Sequence, residues 1–273
     1  MIAQPRMRGN MREGPLDRGE ARAGAERVGQ GRARVGRTLL FPMLAILLNS
    51  ALPGCQQGPP QGAKVVTIFV DVSGSVRDFD AYREGWCKIV EKLKEGDRIV
   101  LGRITEETFT RFRPVLDTTV PVFNPLTDNR LRFEKRTKAI RGDLEKGVEA
   151  ALGAPRSPKT DVMNSLVLAE KIFAGDKRHP VLVLFSDMLE DSDAYSFERV
   201  TITEGMIHRI VEEKRRDGQL PDLRGATVYV AGASAKSASK AHEVQRFWVE
   251  YMKAANARLL PQNYGPALIN FAD

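Results

Sequence analysis

From residue 64 onward, short apolar runs alternate with longer stretches in which apolar residues recur every three or four positions. The first run predicts a strand at Val65–Asp71. A helix follows at about Asp78–Lys94, with Phe79, Tyr82, Trp86, Ile89, Val90 and Leu93 on one face. Gly96 and Asp97 end it. Arg98–Ile104 predicts a second strand, and the alternation in Thr108–Leu116 a third at the sheet edge. Pro121–Asp128 reads as a loop, and Asn129–Leu152 as a long charged helix striped by Ile140, Leu144, Val148 and Ala151. Asp161 opens another helix, to about Phe173. Pro180–Asp187, "PVLVLFSD", is a continuous apolar run, as in a parallel strand covered on both faces. Thr201 and Glu204 have the spacing of a capping box for a helix that ends at Gly218. A strand at Ala226–Ala231 precedes a helix whose inner face carries Val244, Phe247, Trp248, Tyr251, Met252 and Ala255. A last strand is expected within Ala267–Phe271. Strands alternating with helices predict an α/β domain over residues 64–273, with three layers and a mainly parallel central sheet flanked by helices. That length is ample for one core.

The chain before residue 64 has a different character. Residues 1–36 are rich in Arg and Gly, nearly free of large apolar side chains, and expected to be disordered. Residues 37–54 have the pattern of a signal peptide. Arg37 precedes an apolar run from about Leu39 to Leu52, too short to span a bilayer as a helix. The run closes in Leu52-Pro53-Gly54-Cys55, which resembles a bacterial lipobox and implies a lipid on Cys55. Residues 55–63, with "QQGPPQG", read as a tether. By the same resemblance, Gln56 after the cysteine implies the outer membrane, or at least the periplasmic face, if the cell has two membranes.

The formal charge of +7 suggests a polyanionic partner until it is located. Before residue 38 nine arginines face four carboxylates, a net +5, which leaves +2 for residues 38–273. That remainder reads as nearly neutral and without a Lys/Arg block interleaved with aromatics, so no nucleic-acid partner is expected. With Cys55 lipidated, Cys87 is the other thiol; its helical pattern suggests burial, and no disulfide framework or zinc cluster is available.

The candidate chemistry lies where apolar runs end in carboxylates. "KVVTIFVDVSGSV" closes on Asp71, Ser73 and Ser75, and "VLVLFSD" on Asp187. In an open α/β sheet, sites form beyond the carboxyl ends of the strands. Thr160 precedes a helix, where its hydroxyl can face the same edge, the alternative being that Thr160 or Asp161 only caps the helix. Together these residues form an all-oxygen set suited to Mg²⁺ or Mn²⁺, with no sulfur or imidazole for zinc. Glu190, Asp191 and Asp193 read as an acidic solvated loop, with a second cation site as the alternative.

"DVSGS", a downstream threonine and a strand-terminal aspartate resemble the metal-ion-dependent adhesion site of von Willebrand factor type A (vWA) domains. The resemblance runs from about Lys64 to the C-terminus and implies the Rossmann-like vWA fold. It implies that Ser73, Ser75 and Thr160 approach the metal directly or through water, while Asp71 and Asp187 act largely through water. Met188 stands where that family commonly has glycine.

The function implied is a membrane-tethered, divalent-cation-dependent protein-binding module of a bacterial envelope. It would be non-enzymatic and would hold a partner's carboxylate on the bound metal. Two alternatives stand beside it. One is a metal-free structural domain of an envelope complex. The other is a phosphoaspartate-type hydrolase with Asp71 as nucleophile, in which Ser73 occupies the place of a needed second carboxylate.

Overall fold

Six strands form one sheet in the order β3-β2-β1-β4-β5-β6. They are β1 (Lys64–Asp71), β2 (Arg98–Ile104), β3 (Leu116–Thr119), β4 (His179–Phe185), β5 (Thr227–Ala231) and β6 (Arg258–Gly265). All neighbours are parallel except β2 and β3, which are antiparallel. Among the described residues five helices flank them: α1 (Asp80–Glu91), α2 (Arg130–Leu152), α3 (Val162–Phe173), α4 (Glu204–Arg216) and α5 (Ala238–Ala254). The coordinates are a computed structural model, and the structure describes residues 58–76, 79–106, 108–110 and 112–271. The leader, the signal-peptide segment and Cys55 lie outside the described residues.

The apolar runs are buried because the sheet is covered on both faces, as the period-two alternation of a strand requires. Val65 and Phe69 pack with α3, α4 and α5, and Val66, Ile68 and Val70 pack with α1 and α2. The three-layer α/β architecture read from the sequence is therefore the one observed. The aromatic stripe of α5 is core: Phe247, Trp248 and Tyr251 are fully buried and pack on one another.

Several expectations are corrected. The third strand is Leu116–Thr119, not Thr108–Leu116. Thr108 instead closes a turn, its Oγ1 bonded to Thr105 N and O at 2.7 and 2.6 Å, and Pro114 has no N–H for a ladder. The last strand is Arg258–Gly265, not Ala267–Phe271. Pro261 disguised it: β6 bulges between its pairings with Val228 and Val230, which accommodates a residue that cannot donate. Leu268 and Phe271 pack instead on the α1 face.

The cap of α4 is Thr203, whose hydroxyl accepts from Met206 N, rather than Thr201. Pro60–Ala63, assigned to the tether, already belong to the fold. Ala63 N donates to Pro60 O at 3.1 Å, and Ala63 O accepts from His179 N at 2.9 Å. Cys87 is exposed, on the outer side of α1. The near-neutral total also hid a basic block, for "RLRFEKRTKAIR" (130–141) has Phe133 inside it.

Candidate functional site

β1 and β4 are sheet neighbours whose outgoing connections lead to opposite halves: β1 to β2 and β3, β4 to β5 and β6. A crevice opens at such a divergence, beyond the carboxyl ends of the strands. Asp71 is the last residue of β1, and Asp187 lies two past the end of β4.

Asp71 is fully buried. Its Oδ1 accepts from Ser73 N at 2.8 Å and its Oδ2 from Ser186 Oγ at 2.7 Å. The Ser73 hydroxyl lies 2.8 Å from the Ser75 hydroxyl, with Ser73 beside Asp71 and Ser75 beside Asp187, and each hydroxyl lowers the pKa of its neighbouring carboxyl. Two hydroxyls thus lie between two carboxylates. Burial raises the pKa of Asp71, partly offset by its bonds to Ser73 and Ser186 and by the charge of Arg156. Burial, and then repulsion from Asp71, push Asp187 up to about 6. Ser75 is the exposed member of the group.

The turn carrying the serines is clamped from one side. Ser157 N donates to Val72 O at 3.0 Å, and Gly74 N donates to Ser157 O at 3.2 Å. The Arg156 guanidinium donates to the carbonyls of Ser73 and Val76 at 3.0 and 3.1 Å and lies over the Phe79 ring. From Ser157 the chain runs to Thr160, which is buried and exchanges backbone hydrogen bonds with Asp191 at 3.0 and 2.9 Å. Thr160 therefore sits at the same sheet edge. No hydrogen bond joins its hydroxyl to the other four residues among those described. Asp161, not Thr160, caps α3, accepting from Asn164 N.

The turn after Asp187 is strained. Met188 has φ +65°, the left-handed region, although it is not glycine. Its N–H donates to Ser186 Oγ at 2.9 Å, its carbonyl accepts from Trp248 Nε1 at 2.8 Å, and its side chain is fully buried. The backbone keeps a glycine-like shape, and surrounding contacts hold methionine in it.

Two residues escaped the sequence reading and a third was misassigned. Ser186 was legible in principle, as a polar residue between an apolar strand and its terminal carboxylate. Arg156 gave no signal, being a lone arginine in a loop. Glu190 was assigned to a solvated loop, yet it is buried and accepts from Val162 N and Met163 N at the start of α3, at 2.8 and 3.1 Å. Burial and the nearby Asp161 raise it to about 8. Glu190 thus serves as a buried cap of that helix.

Among the described residues no group of three or more His, Cys, Asp or Glu side chains is placed to hold a metal ion. The Asp71 group is of another kind, with two carboxylates and two hydroxyls. Fold and site define a doubly wound α/β domain with a buried acidic pair at its switch point. No family model matches the sequence, and no curated protein matches it. Among solved structures it is similar to a von Willebrand factor type A protein from Catenulispora acidiphila, at 15% identity and TM-score 0.35, covering 71% of this chain and 43% of that one. It is also similar to the pilus adhesin SpaC from Lactobacillus rhamnosus GG, at 13% identity and TM-score 0.39, covering 69% and 26%. A third is an aerotolerance-related membrane protein from Bacteroides fragilis, at 13% and 0.35, covering 74% and 94%. The chain spans less than half of the first two. The α/β class rests on the sheet itself.

Proposed function

We propose that the domain is a divalent-cation-dependent protein-binding module of the vWA kind, non-enzymatic and held at a bacterial envelope membrane by a lipid on Cys55. The observation that carries this reading is the cluster of Asp71, Ser73, Ser75 and Asp187 at the switch point. Two buried carboxylates in mutual repulsion fit a cation, and the hydroxyls between them add oxygen donors without charge. Both Asp71 oxygens already accept bonds from the chain, so Asp71 suits a role through water. Ser73, Ser75 and Thr160 would hold Mg²⁺ or Mn²⁺ with the two aspartates. The bound ion would supply an electrophilic position for a partner's carboxylate. The Arg156 clamp keeps the serine turn in shape, and the Met188 turn positions Asp187.

Pull-down from solubilised envelope, with and without chelator, tests the reading. Wild type should capture a partner in a chelator-sensitive way, and Mg²⁺ at ten times its Kd should stabilise the fold by about 1.4 kcal/mol. Ser73→Ala with Ser75→Ala should abolish capture while leaving the fold intact. A folded double variant that still captures its partner under chelator control would place the metal elsewhere. Fatty-acid labelling lost in Cys55→Ala tests the anchor.

A further inference from the structure

The edge of the sheet opposite the site carries a second feature. β3 is antiparallel, so Thr119 ends beside Arg98, at the amino edge of the parallel strands. There Val120 pairs with Gly96 and Asp97 at 3.0 and 2.8 Å, and Phe123 N donates to Glu95 at 3.0 Å. Pro60 packs so closely on Gly96 that a Cβ there would meet it at 2.5 Å. The chain therefore enters the described fold at the edge where the segment before α2 begins.

α2 projects from that edge. Gly147 lies against Leu116 and Leu101, at 3.5 and 3.7 Å from a built Cβ. From Gly147 back to Ile140 the helix covers about 10 Å, as do the three residues of β3 from Leu116 to Thr119. Residues 130–139, roughly 15 Å of helix, have no strand beside them, and nothing from 130 to 143 is buried. Leu126 and Leu131 are 92% and 75% exposed. Around them stand six Arg and Lys residues between 130 and 141 against Glu134. Arg130 pairs with Glu134 and Arg136 with Asp128. Arg132, Lys135, Lys138 and Arg141 make no ion pair among the described residues.

We propose that this tip docks on an anionic bilayer surface, Leu126 and Leu131 entering the headgroup region and the basic residues meeting lipid phosphates. Apolar residues ringed by unpaired cations suit such an interface, where the long side chains reach the headgroups while their stems stay in apolar surroundings. A folded acidic partner would explain the cations; the leucines exposed at the apex, on the edge where the chain enters, favour a membrane. The reach agrees, resting on the anchor of the proposed function. Cys55 to Gly58 spans at most about 11 Å, so a chain held at Cys55 keeps this edge within the length of the projecting helix. The consequence is an orientation: the Asp71 crevice faces away from the membrane.

The test uses the full chain with Leu126→Trp and vesicles of brominated lipid. Trp86 and Trp248 are buried and silent to such a quencher. Fluorescence should be quenched by phosphatidylglycerol vesicles and not by phosphatidylcholine, and salt should relieve it. Adding Arg132→Glu, Lys135→Glu and Lys138→Glu, all at exposed positions, should weaken the quenching at least tenfold with an unchanged urea midpoint. Ile269→Trp, exposed on the α1 side, should stay unquenched. Cosedimentation without quenching at 126, equal quenching in neutral vesicles, or equal quenching at 269 would each overturn the proposal. Quenching at 126 in a chain that takes no fatty-acid label would remove the anchor and leave the tip.

Discussion

Ser186 Oγ donates to Asp71 Oδ2 at 2.7 Å while accepting from Met188 N at 2.9 Å, so one hydroxyl ties the end of β1 to the turn after β4. Ser186→Ala removes both bonds from a fully buried position. A loss of about 2–4 kcal/mol is expected from two unsatisfied buried groups, measured by urea denaturation. On the proposed reading, Mg²⁺ stabilisation should fall as well, because Asp71 is no longer held.

Gly85 on α1 faces Phe185, and a Cβ there would lie 2.6 Å from its Cε1 and 3.3 Å from Leu268 Cβ. In an exposed helix Gly→Ala gains about 1 kcal/mol. Here overpacking of about 1–3 kcal/mol outweighs it, so Gly85→Ala should lower stability. An unfolding midpoint at or above wild type would show that the Phe185 ring yields freely.

Met188→Gly relieves the left-handed backbone by about 1–2 kcal/mol and deletes a fully buried side chain, which costs about 2–5 kcal/mol. A net loss of about 1–3 kcal/mol is expected from denaturant titration. A gain would mean that strain, not packing, dominates this turn.

Glu190 sits well above its ordinary value of 4.5, at about 8, so the folded state binds its proton more tightly than the unfolded state does. Stability from this group is complete below about pH 4.5 and is lost as pH rises through 8. Glu190→Gln keeps an oxygen for Val162 N and Met163 N and removes the titration. The variant should match wild type near pH 5 and exceed it at pH 8, read from urea midpoints at both values. Equal midpoints at both would show that Glu190 is ionised in the fold.

The exchange between sequence and structure is plain at the two corrected strands. Arg98–Ile104 was legible to the residue because Ile99-Val100-Leu101 follows directly on the Gly96-Asp97 break. Leu116–Thr119 and Arg258–Gly265 were misplaced because edge strands pair on one side only, carry polar residues, and tolerate Pro261 at a bulge. The basic block at 130–141 was overlooked because a net charge averages over the chain. Charge acts locally, so the projection of one helix restores what the total conceals.

The apolar runs by themselves determined that Asp71 and Asp187 would emerge at one edge of a covered parallel sheet, since burial on both faces leaves a run only its ends for polar groups. Pattern alone left open which strands would be neighbours. The order β3-β2-β1-β4-β5-β6 places β1 beside β4, and that adjacency brings the carboxylates of Asp71 and Asp187 into repulsion and sets Ser73 and Ser75 beside them. The roles of Ser186, Arg156 and Met188 were likewise decided in three dimensions. Each acts on residues far away in the chain or through a backbone angle, and neither distance nor φ is written in a residue's type.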